Sequence, residues 1–172
     1  MRPLALLAAL VALVAAGVLA VAADASATGQ SWGPETPNFN LEVILRASGG
    51  GSGFGHVKFR QPNDAEKIIY LDTWVRGLAP NHDYLLQRAV DPINVVDGTC
   101  GDSSGWLTLG QGMAMPPQRI TTDDNGTGSA ALFRNVPVAP GSAFDIHFRV
   151  VDAADTTHVV LESACYQYRL SL

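Results

Sequence analysis

The feature that most narrows the possible folds is the succession Ile68 to Arg76, a turn at Gly77-Leu78-Ala79-Pro80-Asn81-His82, and Asp83 to Ala89. Two segments rich in β-branched, aromatic and aliphatic residues around a Gly/Pro/Asn cluster predict two antiparallel strands and their connection. Side chains of a strand alternate between its faces, so Ile69, Leu71 and Val75 share one face, which is expected to be core. Ile68, Tyr70, Asp72 and Trp74 stand on the other. Because Ile68 shares it, we expect a second layer to cover this face too. Left exposed, its aromatic rings would suit stacking on a carbohydrate or on another protein.

The same period-two pattern recurs along the chain. Leu41, Val43 and Leu45 share one side of Asn40 to Arg46. The glycine-rich run Ala47 to Gly53 has the composition of a phosphate-cradling loop, but such a loop opens onto a helix. Here Phe54 to Gln61 alternates as a strand, with Val57 and Phe59 inward and His56, Lys58 and Arg60 outward, so a flexible turn is expected. Val90 to Ser104 is a long irregular segment, of the kind that is functional or pinned. Gly105 to Gly110 reads as a short strand, and Gln111 to Gln118 as a crossing connection. Asp123-Asp124-Asn125-Gly126 predicts a tight hairpin, with both Asn125 and Gly126 tolerant of positive φ. Thr127 to Arg134 is the returning strand. Phe144, Ile146, Phe148 and Val150 form one face of Ala143 to Val151, with Asp145, His147 and Arg149 opposite, facing solvent or another strand's polar row. Thr157 to Leu161 and Cys165 to Leu172 close the chain. With about nine or ten strands and no helical periodicity outside the N-terminus, the fold class is all-β, an antiparallel Greek-key β-sandwich or flattened barrel.

Met1-Arg2-Pro3 and the apolar run Leu4 to Ala23, followed by Ala23-Asp24-Ala25 and Ala25-Ser26-Ala27, have the form of a signal peptide, residues 1–27. The alternative is an uncleaved anchor, since the run is just long enough to span a bilayer. Residues 28–39, with Gly33, Pro34 and Pro37, are expected to be an extended lead-in, and 40–172 a single domain. The formal net charge of −5 argues against nucleic acid as a partner. Cys100 and Cys165 are the two cysteines. In an exported chain they read most simply as one disulfide, the alternative being two free thiols.

Residues able to do chemistry are sparse. The histidines are His56, His82, His147 and His158. If the strands carrying His56 and His147 were neighbours, these two could meet Asp145 in a metal site. Ser103 has Gly-x-Ser-x-Gly spacing, between Gly101 and Gly105, but Ser103-Ser104-Gly105 lies in the long irregular segment and reads as a turn. Asp123-Asp124, and Asp152 with Asp155, lie in expected turns without the regular oxygen spacing of a calcium loop. Asn125-Gly126-Thr127 fits an acceptor for N-glycosylation.

Several segments together resemble the copper,zinc superoxide dismutases. Gly55 to Gln61 is similar to that family's early strand, and Val75 to His82 to its Gly-Leu-x-Pro-Gly turn. Asp97-Gly98-Thr99-Cys100 and Leu161-Glu162-Ser163-Ala164-Cys165 are similar to the two ends of its loop-to-strand disulfide. Asp123 to Ala130 resembles its Asp-x-x-Gly hairpin. The resemblance implies a Greek-key scaffold, superoxide-dismutase-like or immunoglobulin-like, but not the chemistry. Where the family has a His-x-His pair of copper ligands this chain has Leu85-Leu86-Gln87, and Gly101 to Gln111 contains no histidine. The reading is therefore a secreted, non-catalytic binding or structural module with no assigned catalytic, cofactor or metal residues and an unknown protein or carbohydrate ligand. The alternatives are a metal-binding protein or enzyme on the same scaffold, and a surface protein tethered to the membrane by its leader.

Overall fold

A computed structural model describes residues 40–61, 67–101, 105–112 and 116–170. The expected signal peptide and lead-in lie outside the described residues, as do Ser103 and Ser104. The chain forms an almost entirely β structure. In order, the strands are β1 (Asn40–Ala47), β2 (Phe54–Arg60), β3 (Ile68–Arg76), β4 (Asp83–Val90), β5 (Leu107–Thr108) and β6 (Arg119–Thr121). They continue with β7 (Gly128–Ala130), β8 (Phe133–Asn135), β9 (Ala143–Asp152), β10 (Val159–Ser163) and β11 (Tyr166–Arg169). A short 3-10 turn, Ser48–Gly50, occupies the glycine-rich run between β1 and β2, where a flexible turn was expected.

The strands pair antiparallel along the path β5-β4-β9-β10-β1-β2-β3-β7, with β6 also on β4, β8 also on β3 and β11 on β9. Consecutive β1, β2 and β3 form a meander, whereas β4 crosses over to lie beside β9. The sheet curls into a half-barrel, as its twist and the apolar inner parity of each long strand require. Its two edges, β4 and β3, are drawn together at two places. Thr122 bridges Gly128 across the β6–β7 hairpin, and Gln111 bridges Phe133 in a parallel sense. Phe133 donates its N–H to Gly110 O at 3.0 Å and accepts from Gly112 N at 2.9 Å.

Period-two alternation carries the core. Val43 and Leu45, Val57 and Phe59, Ile69, Leu71 and Val75, and Phe144, Ile146, Phe148 and Val150 are all buried. Phe59 meets Tyr168 edge-on at 4.9 Å, and Tyr168 meets Phe144 at 5.3 Å. Tyr168 is fully buried, donates its hydroxyl to the equally buried Gln61 side chain, and has its phenol pKa pushed up by desolvation.

Three expectations are corrected. The Thr127 to Arg134 strand is split in two, because Leu132 O turns to accept from Leu71 N at 2.8 Å between β7 and β8. The Asp123–Gly126 hairpin exists, but of its Asn-Gly pair Gly126 alone has positive φ, at 71°. It is a three-residue loop in which Gly126 N bonds Asp123 O at 3.0 Å and Asp123 N bonds Thr127 O at 2.8 Å. The turn is seated against the β3–β4 turn, where Leu78 N reaches Gly126 O at 3.2 Å. Finally, Tyr70 and Trp74 are not core. Tyr70 is half-buried and Trp74 is 44% exposed, because no described segment lies over the outer face of β2 and β3.

Candidate functional site

The residues singled out for chemistry do not converge. His56 sits on β2 and His147 on β9, with β1 and β10 between them in the sheet order. His56 stacks on its cross-strand neighbour Trp74, ring centroids 5.5 Å apart, and contacts Glu42. His147 packs on Trp106 at 4.5 Å, and Trp106 in turn lies under the Arg149 guanidinium at 4.0 Å. His82 contacts Asp152 at 2.8 Å through Nε2, and His158 lies exposed in the β9–β10 turn. Among the described residues, no group of three or more His, Cys, Asp or Glu is placed to hold a metal ion.

Asp145 does not face solvent. It is fully buried, because the segment after β4 folds back over the outer face of β9. Asp145 Oδ2 accepts from Asp97 N at 2.9 Å and Gly98 N at 2.8 Å, while Asp91 N bonds Asp145 O at 2.9 Å. Asp91 holds the far end of the segment by accepting from Gly101 N at 3.0 Å. The Cys100–Cys165 disulfide, Cα–Cα 5.4 Å, fixes that end to the break between β10 and β11. The acids in turns serve the backbone. Asp123 Oδ1 accepts from Asn125 N and Thr127 N at 2.8 and 2.9 Å, and these bonds hold its carboxyl below the ordinary range. Asp152 and Asp155 are likewise lowered, each chiefly by bonds to its own turn, Ala154 N in one case and the Thr157 hydroxyl in the other.

The aromatic face of β2 and β3 is a cross-strand ladder. Phe54 lies opposite Arg76, His56 opposite Trp74, Lys58 opposite Asp72 and Arg60 opposite Tyr70. The Arg76 guanidinium lies 4.9 Å from the Phe54 ring centre and that of Arg60 lies 5.6 Å from Tyr70. The rings are thus partly occupied by their neighbours.

The feature that stands apart is a cavity of about 240 Å³ at one end of the half-barrel, between the β4 and β8 edges. Its floor is core: Phe59, Leu71, Leu109, Ile146 and Phe148. Its rim is Val90 and Ile93 on one side and Val136, Pro137 and Val138 on the other. Arg88 and Arg134 also line it. Arg88 lies on the inward parity of β4 with Tyr84 and Leu86, and Arg134 pairs with the inward Ile69 of β3. Both are half-buried. Desolvation, and after it the nearby positive charge of Arg134, lower the Arg88 pKa to about 10. Neither arginine stood out on sequence. The signal that would have found them is parity, a cation occupying the core-facing register of an otherwise apolar strand.

Fold and cavity together define an all-β sandwich or barrel with an internal apolar chamber and two cations in its wall. Comparison of the chain with protein-family models, curated proteins and solved structures finds no match.

Proposed function

We propose that this is an exported, non-catalytic β-sandwich module that binds a small molecule in the chamber between β4 and β8, on a scaffold akin to that of the copper,zinc superoxide dismutases. One observation carries the reading: about 240 Å³ of space opens directly onto core side chains. Interiors are packed like organic crystals, so a void lined by apolar groups and open at one side has the form of a site for a small ligand. A cavity of about 150 Å³ lined by such groups takes up benzene. Export is supported by the leader's composition and by the Cys100–Cys165 disulfide, a bond that persists in oxidising compartments.

The test is saturable, one-to-one uptake of the uncharged fluorescent probe N-phenyl-1-naphthylamine by the mature protein. Val138→Trp, which fills the chamber from its rim, is expected to abolish uptake while circular dichroism stays unchanged. Absence of saturable uptake by the wild type refutes the reading.

A further inference from the structure

Burying part of a guanidinium is unfavourable unless an anion or hydrogen-bond acceptors replace the lost water. Placing a second like charge beside it adds to the cost. Of the other described arginines, Arg60 pairs with Asp72 at 3.0 Å, Arg119 pairs with Asp83, Arg149 donates Nε to Gln87 at 2.8 Å, and Arg46, Arg76 and Arg169 are exposed to water. Arg88 and Arg134 differ. Neither has a hydrogen bond or ion pair among the described residues, and no carboxylate is among the described residues lining their chamber. Two half-buried cations therefore face one apolar space with no described counter-charge.

Resting on the chamber being a binding site, we infer that its ligand is a small anionic amphiphile, with a carboxylate or phosphate held between Arg88 and Arg134 and a short apolar body against Phe59, Leu71 and Phe148. The guanidinium fork matches the two oxygens of such a headgroup, so each arginine can donate twice. The apolar part is sized by the chamber. At about 240 Å³ it is larger by more than half than a roughly 150 Å³ cavity that takes up benzene, which suits a chain of some eight carbons or a substituted ring. The mouth extends the same chemistry. Ile93, which lines it, is 51% exposed, and Val95 and Val96 beside it in the covering segment are 43% and 39% exposed. Large apolar side chains left in water at a cavity rim mark a surface that an apolar ligand covers. The same headgroup chemistry is presented by a free fatty acid or alkyl phosphate and by an anionic lipid at a membrane surface.

Calorimetric titration of the mature, disulfide-bonded protein with octanoate, octanol and octyltrimethylammonium separates charge from apolar fit. Octanoate is expected to bind at least tenfold tighter than octanol, with the ammonium compound weakest, since a tenfold ratio is a modest share of what a paired charge contributes. Arg88→Gln combined with Arg134→Gln should bring octanoate down to about the affinity of octanol for the same variant. The single variants, each giving a partial loss, serve if the double variant does not fold. Octanol matching octanoate, or octanoate indifferent to the arginines, overturns the anionic assignment while leaving uptake of the neutral probe intact. Failure of the neutral probe as well removes the binding site itself, so the two failures are distinct. Co-sedimentation with phosphatidylcholine vesicles only when they contain phosphatidylglycerol identifies a lipid headgroup as the source. Octanoate binding without co-sedimentation identifies a free amphiphile. Both results bear the inference out.

Discussion

Arg88 and Arg134 stand on strands at opposite edges of the sheet, yet both reach into the same chamber, close enough that the charge of one lowers the pKa of the other. Arg88 follows the inward register of β4 beside Leu86, and Arg134 of β8 lies opposite the inward Ile69 of β3.

That placement costs stability when the chamber is empty. A base whose folded pKa lies below its unfolded value binds protons less well when folded. The Arg88 charge therefore opposes folding throughout the range below about 10. Arg88→Met, of similar length and without charge, is expected to raise the unfolding free energy by about 1 kcal/mol, as relief of a functional site commonly does. Urea unfolding without ligand at neutral pH checks this, and a loss of stability would contradict it.

Cys100 and Cys165 enclose a separation of 65 residues. On the chain-entropy account, closing a loop of that length stabilises the folded state by about 4 kcal/mol. The Cys100→Ser, Cys165→Ser protein should unfold at correspondingly lower urea. Hydrogen exchange should rise first at Asp97 and Gly98, whose amides are held on Asp145. A wild-type exchange pattern in the serine protein would show that Asp145 alone holds the segment.

Gly126 combines φ of 71° with a position where an added Cβ would lie 2.1 Å from Leu78 O. Gly126→Ala has to adopt a left-handed conformation and push two turns apart, a combined cost of at least about 2 kcal/mol. Gly105, also at positive φ but with nothing near its Cβ, should lose only about 1 kcal/mol on the same change. Equal melting temperatures for the two variants would refute the docking of one turn on the other.

The acid limit follows from four carboxylates. Asp83, Asp123, Asp152 and Asp155 are all held below the ordinary value of 3.8, by the Thr121 hydroxyl and Arg119 in the first case and by their own turns in the others. Depressed acids bind fewer protons folded than unfolded. Their contribution is complete above the ordinary carboxylate value and is lost as pH falls through the folded values. Stability should be level from neutrality to about pH 4 and decline below it, in urea midpoints measured along a pH series. A decline beginning well above pH 4 would contradict this assignment.

The long strands were legible because burial repeats with period two: Val43 and Leu45, Val57 and Phe59, and Phe144 to Val150 all point where the alternation puts them. What alternation does not encode is which outer face acquires a cover. Tyr70 and Trp74 were expected to be core and are partly or openly exposed, while Asp145 was expected to meet solvent or a polar row and is sealed. The difference lies in where one loop falls. The segment after Val90 returns over β4 and β9, pinned by Cys100, and no described segment returns over β2 and β3. The arginines of the chamber were passed over for a related reason, since a charge at an inward position reads as a strand end until the opposing edge is known to bring a second one.

The chamber is bounded on one side by a seam rather than by a continuous ladder. From β4 through β9, β10, β1 and β2 to β3 each strand is bonded to the next, whereas among the described residues the two outer edges are joined by isolated bridges, Thr122 with Gly128 and Gln111 with Phe133. Lengthening or shortening the stretch between Val136 and Gly141 would therefore resize the compartment without disturbing the ladder that holds the rest of the molecule. Capacity and foldability are, in this architecture, separately adjustable.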